Sequence, residues 1–283
     1  MKLLLFSLLS LMLAASVNAA TEIAFGPVRA QPGESIRLIS TSESLDGTVA
    51  VTTGGRTRNG STRMFRERNL SWTFRAPESD GTLRGMVSVA KIASSSSVVL
   101  DGKEELSEDS SPLNGMMFAM SKSPAGNWKF ELDGSIPRQR VQNEIDELSV
   151  YLNRRWYPER VVKLGDSWEF DPAWIRMAIE KDLKNAQIIG TMKLRQIRHM
   201  AQKDVAVIDV LIRSTGADFK ADGTETKVQL ELTGQVMVDL KTMLDERLEL
   251  RGTIVKTSGS PGNSRKVTLP VKLNVAKSFV KGF

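Results

Sequence analysis

The chain has no cysteine, one histidine and two tyrosines in 283 residues. Without thiols it holds no Cys nucleophile, thiolate metal site or disulfide. With a single imidazole it cannot build a multi-histidine metal site. A Ser-His-Asp arrangement would depend on His199 alone. That residue lies in Arg195-Gln196-Ile197-Arg198-His199, where an exposed strand end among cations is the simpler expectation. No Gly-x-Ser-x-Gly elbow occurs. Beyond the first residues there is also no apolar run long enough to cross a bilayer as a helix. These absences remove most of the catalytic vocabulary, so we expect no cofactor, no metal and no enzymatic activity.

What is present begins at the start of the chain. Lys2 precedes an apolar run from Leu3 to Ala15, broken only by Ser7 and Ser10, and Val17-Asn18-Ala19 offers small residues at a cleavage site. This is the pattern of a secretory signal peptide, removed after Ala19. The protein is therefore expected in the periplasm or outside the cell, soluble and without a transmembrane span. No Cys follows the cleavage site, which excludes a lipoprotein anchor on this reading. A chain of this length buries a sufficient core without disulfide staples. The formal charge of +6 permits attraction to an anionic surface, and nucleic acid is not an expected partner.

The organisation expected is a signal peptide (1–19), a β-rich N-terminal half (20–135), a helical or loop connection (136–186) and an antiparallel meander (187–283), all in one globular unit. The meander is the clearest part. Val228, Leu230, Leu232, Val236 and Val238 fall on even positions, against Lys227, Gln229 and Glu231 on odd ones. Leu248, Leu250 and Ile254 repeat the pattern against Glu249 and Arg251, and Val267 to Val275 repeats it once more. Period two with one polar face indicates antiparallel strands covered on one side. Five strands are expected between about 187 and 277. At ~3.3 Å per residue, a fifteen-residue strand reaches about 50 Å. A sheet that long must twist and curl, and its apolar side needs a cover.

Two short helices are expected to supply it. Val141, Ile145, Leu148 and Leu152 have helical spacing, with Ser135 as cap and Pro137 in the first turn. Asp171-Pro172 starts the second, which runs to about Asn185. Upstream, Ile36–Ser40, Thr48–Thr52, Ser71–Arg75 and Met86–Ile92 suggest strands, with Ser94 to Ser97 as an interruption and Asp101 to Ser111 as an acidic loop. Met116–Met120 and Trp128–Leu132 read as a hairpin.

Arg56, Arg58, Arg63, Arg66 and Arg68 form the densest basic stretch. A turn at Arg58-Asn59-Gly60-Ser61 would gather several of them on one hairpin, a candidate anion site; edge protection is the plainer reading. Met116, Met117 and Met120 are soft enough to adapt to an acyl chain, although core filling explains them as well. Glu144, Asp146 and Glu147 crowd the first helix, with Arg140 four residues before Glu144, and read as a solvated surface with ordinary pairing. The acidic loop lacks the alternate-position spacing of a calcium site.

Pro112-Leu113-Asn114-Gly115, the hairpin to Gly134, and Tyr157-Pro158-Glu159-Arg160-Val161-Val162-Lys163-Leu164-Gly165-Asp166-Ser167-Trp168 carry a resemblance. The second segment resembles the Pro…Val…Gly-Asp-Ser-Trp signature of a group of uncharacterised exported bacterial β-proteins. The layout is similar to the half-barrels of periplasmic lipoprotein carriers. The resemblance implies no activity; it implies a turn at Gly165-Asp166 and Trp168 as a buried anchor.

The expectation is thus a mainly β protein: a large curved antiparallel sheet, half-barrel-like or two packed sheets, with two short covering helices. Its expected role is an exported envelope binding protein holding an apolar or amphipathic ligand such as a lipid. Candidate contacts are Met116, Met117, Met120, Leu148, Leu152, Val228, Leu230 and Val236. The alternative is a structural or interaction protein with a filled core that touches another envelope protein or an anionic surface.

Overall fold

A computed structural model describes residues 21–132, 139–172, 187–200, 202–219, 224–260 and 262–281. The first nineteen residues, the proposed cap at Ser135 and Pro137, and the second expected helix beyond Pro172 lie outside the described residues. The described chain is antiparallel sheet with one helix. In order the elements are β1 (Glu22–Ala24), β2 (Glu34–Thr53), β3 (Arg56–Phe74), β4 (Leu83–Leu100), β5 (Lys103–Ser110), β6 (Met117–Lys122), β7 (Lys129–Glu131), α1 (Gln139–Leu152), β8 (Val161–Lys163), β9 (Ser167–Phe170), β10 (Gln187–Met200), β11 (Lys203–Phe219), β12 (Glu225–Asp239), β13 (Asp245–Ser260) and β14 (Asn263–Lys281).

Twelve strands form one sheet in the order β7-β6-β4-β3-β2-β14-β13-β12-β11-β10-β9, with β5 on the remaining length of β4. β7 and β9 end the path and do not meet, so the sheet is not a closed barrel. β1 and β8 form a separate two-stranded ribbon. The expected five-strand meander is β10 to β14. The N-terminal half is a second meander, and the two are joined where β2 pairs with β14, from Glu34 opposite Lys281 to Thr53 opposite Asn263. This ladder opens between Thr268 and Lys272. Pro270 sits in that gap and has no N–H to give.

The inner side of the sheet is greasy in the way the alternation requires. Val228, Leu230, Leu232, Val236 and Val238 are all at most 5% exposed. They share one core cluster with Ile36, Leu70, Trp72, Val89, Leu250 and Val275, and with Ile145 and Leu148 of α1. At ~25 cal/mol per Å² of apolar surface, this single continuous core is the main source of stability.

Three local expectations are corrected. The arginine hairpin turns at Gly54-Gly55, both at positive φ (58° and 79°), the conformation a two-residue hairpin favours. Arg58 to Ser61 instead continue β3 opposite Val51 to Thr48. Ser94 to Ser97 do not interrupt β4, because ladders on both sides, to β3 and β5, satisfy their backbone. The acidic segment is not a loop: after a turn at Asp101-Gly102 it forms β5, whose eight residues are all exposed. Both of its faces meet water, so no alternation marked it. Its charges suit an edge strand, where they discourage pairing with another chain.

β4 changes partner midway, from β6 up to Ser88 to β5 from Ala93. Asn114 bridges the gap. Its Oδ1 accepts from Ile92 N at 2.6 Å, and its Nδ2 donates to Ile92 O and Ser110 Oγ. Asn114→Ala leaves the Ile92 amide without that partner. We expect a loss of about 2 kcal/mol, read as a lower urea midpoint with an unchanged slope.

Candidate functional site

α1 lies over the inner side because Ile145, Leu148 and Tyr151 follow one helical stripe and are buried. Its last turn is tied down by polar side chains. Asn153 accepts from Trp128 N at 2.7 Å and donates to Trp128 O at 2.9 Å. Arg154 Nη1 donates to Tyr151 O at 2.7 Å, a cation on the carbonyl end of a helix.

Two charge clusters sit beneath the helix. In the first, Glu147 is only 6% exposed. Its Oε2 accepts from Arg68 Nη2 at 2.8 Å, with Arg66 Nη2 at 3.6 Å. Burial, then the neighbouring Arg66 charge, lowers the Arg68 pKa, against the pull of Glu147. Arg68 Nε is buried and finds no hydrogen-bond partner among the described residues.

Beside this cluster, between α1 and strands β3 and β4, is a cavity of about 140 Å³. It is lined by Arg66, Arg68, Ile92, Ala93, Ser94, Asp109, Ser111, Arg140, Asn143, Glu144, Glu147 and Leu148. At its rim Arg140 meets Asp109 at 2.5 Å and Glu144 at 3.7 Å, and Ser111 Oγ donates to Glu144. The cavity is therefore mostly polar, with apolar side chains only at Ile92, Ala93 and Leu148.

In the second cluster, Asp245 Oδ2 accepts from Arg154 Nη2 at 2.7 Å and Lys277 Nζ at 2.5 Å. All three side chains are buried or nearly so, Lys277 to 2% exposure. The Arg154 guanidinium lies 4.2 Å from the Tyr151 ring centre and 4.7 Å from that of Trp156, and Lys277 lies 5.3 Å from Tyr151. Burial disfavours the Asp245 anion, but Lys277 and Arg154 outweigh it and hold the carboxyl at about 2. Burial and the Asp245 charge push the Tyr157 phenol well above its ordinary value; its hydroxyl has no partner among the described residues. Two cations share one carboxylate, so this cluster carries a net positive charge inside the protein.

The structure divides the expected anion group. Arg66 and Arg68 continue the inward stripe of Leu70 and Trp72. Arg63 is exposed, at the opposite strand parity from Arg66 and Arg68. Arg56 is exposed, and Arg58 pairs with Asp101 at 2.6 Å. Of the apolar candidates, Met120, Leu148, Val228, Leu230 and Val236 join the core, Met116 and Leu152 pack against it, and Met117 is 68% exposed. The solvated-surface reading of the helix acids holds for Asp146 and fails for Glu147. His199 is exposed and pairs with Asp204 at 3.0 Å. Among the described residues no group of His, Asp and Glu has the makings of a metal site.

The Arg154–Asp245–Lys277 cluster was missed, since its members lie 91 and 32 residues apart. One signal was available: Lys277 interrupts the inward run Val271, Leu273, Val275, Phe279. In the motif segment the expected roles are visible. Asp166 Oδ2 accepts from Lys163 N at 3.1 Å and Arg160 Nη1 at 3.0 Å, and Trp168, 9% exposed, donates from Nε1 to Trp156 O at 2.8 Å.

No protein-family model matches the chain and no curated protein matches it, so the resemblance carried by Pro112 to Gly134 and Tyr157 to Trp168 stands on those segments alone. Among solved structures, the chain is similar to a COG4313 outer membrane channel from Pseudomonas putida F1, at 9% identity and a TM-score of 0.23, over 89% of this chain and 97% of that one. It is also similar to a DUF1329 family protein from Desulfovibrio piger, at 10% identity and a TM-score of 0.16, over 85% and 83%. At these scores the likeness carries no argument about fold or function. No helix among the described residues is long and apolar enough to cross a membrane.

Proposed function

We propose that the protein is an exported envelope protein that binds rather than catalyses, and that its ligand is amphipathic. The observation that carries this reading is how α1 meets the sheet. The helix buries Ile145, Leu148 and Tyr151 in the core, yet a carboxylate on it is held by two inward arginines of β3 beside a polar cavity. Buried ion pairs of this kind add little net stability and suit registry or switching. α1 then acts as a lid, with Leu148 in the same core cluster as Val228, Leu230 and Val236 and Leu152 packed against it. The signal-peptide pattern of residues 1–19 supplies the location.

Native mass spectrometry after gentle extraction should find a bound amphiphile. A panel of lipids should raise the melting temperature by about 5 °C or more near saturation. A second reading, a structural or interaction protein, is favoured by the size of this cavity, which at about 140 Å³ is below the ~300 Å³ at which ligand pockets begin. Protein that carries nothing and ignores every lipid would establish that reading instead.

A further inference from the structure

We propose that the cavity between α1 and strands β3 and β4 is the head-group site for a phosphate-like anion, and that Glu147 is the internal stand-in which that anion displaces. This rests on the amphiphile-binding reading above and names the chemistry of the ligand's polar end.

Arg66 and Arg68 point inward, and both face the single carboxylate of Glu147. The other two acids at the cavity are engaged elsewhere, Asp109 with Arg140 and Glu144 with Ser111 and Arg140. At the inner part of the site two guanidinium groups thus converge on one carboxylate oxygen, Glu147 Oε2. Arginine forks match carboxylate and phosphate oxygens in pairs. The Arg68 Nε donor, buried without a partner among the described residues, is the hydrogen bond that a second anionic oxygen would complete.

The size agrees. A volume of about 140 Å³ is close to that of a cavity of about 150 Å³ that holds one benzene ring, room for a compact head group. Ser94, Ser111 and Asn143 add neutral polar groups to the lining, and Ile92 and Leu148 add apolar ones. An anion that takes the arginines from Glu147 releases the helix's charged hold on β3, which couples head-group binding to lifting of the lid.

The test is calorimetric titration of the full mature chain with dodecyl phosphate, with neutral monolauroylglycerol and with inorganic phosphate, all below micelle formation. The wild type should prefer dodecyl phosphate to the neutral amphiphile. Glu147→Gln should tighten dodecyl phosphate at least tenfold and leave the neutral amphiphile unchanged. Arg66→Gln, which keeps the Arg68–Glu147 pair and so guards against a folding defect, should weaken dodecyl phosphate at least tenfold. Equal affinity for the two amphiphiles, unmoved by either substitution, overturns the head-group site while the amphiphile reading stands. Inorganic phosphate that tightens in Glu147→Gln, with no amphiphile bound, upholds the site with a free anion as its source and overturns the amphiphile reading. Binding of none of the three overturns both.

Discussion

Asp245→Asn should lower the unfolding free energy by about 3–5 kcal/mol, because it leaves Arg154 and Lys277 buried without a counter-charge. The amide has nearly the carboxylate's shape, so the loss reports charge and hydrogen bonding rather than a cavity. The measurement is the urea midpoint at neutral pH. A midpoint equal to the wild type would mean that the two cations do not depend on this carboxylate. The same group sets an acid limit. Its carboxyl is at about 2 when folded, against an ordinary 3.8. The folded value is the lower one, so the stabilisation is complete above about pH 4 and is lost as pH falls through about 2. Its size is on the order of 2 kcal/mol. The substitution costs more than protonation because an NH2 group then faces two donors. In Asp245→Asn this step should vanish from the acid limb of the stability curve.

Gly234→Val should cost more still, above about 4 kcal/mol, and the variant should be recovered aggregated or without a cooperative transition. A β-carbon at Gly234 would lie 1.8 Å from the carbonyl oxygen of Glu249, and one at Gly252 would lie 1.8 Å from that of Glu231. Gly234 pairs with Leu250 and Gly252 with Leu232, so the two glycines occupy neighbouring places on the inward stripe. There β12 and β13 press backbone against backbone, and the obstruction cannot rotate away. Glycines at such points let a sheet bend sharply. Gly26, which has nothing within 4 Å, is the control: Gly26→Ala should change stability by less than about 0.5 kcal/mol. If Gly234→Val unfolds at the same urea concentration as Gly26→Ala, the close approach of β12 and β13 does not constrain this position.

The parts legible in the sequence were those where one face is wet and the other dry. β12 to β14 alternate cleanly because a core lies on one side only, and Val141 to Leu152 gave α1 by the same logic at helical period. Legibility failed where water lies on both faces, as in β5, or where backbone pairing alone holds a polar run, as at Ser94 to Ser97. It failed again for the turn of the β2–β3 hairpin, because Asn59-Gly60 imitates a turn while Gly54-Gly55 makes one. The candidate site was half legible. Arg66 and Arg68 belonged to a basic run that could be seen, but strand parity decides which arginines look inward, and parity depends on register. Glu147 read as surface because a helix pattern shows which side is apolar and not which acid will meet a buried arginine. Asp245, Lys277 and Arg154 meet only through the fold.

The seam between β2 and β14 has a kinetic consequence. Its partners are the most widely separated in sequence of any ladder in the sheet, so neither meander can be sealed to the other until the nineteen residues of β14 have been made. Contacts that bridge so much chain form slowly, since loop closure precedes any gain from them. Until then each meander keeps one raw margin, with the backbone groups of β2 and of β14 still unpaired along the future seam.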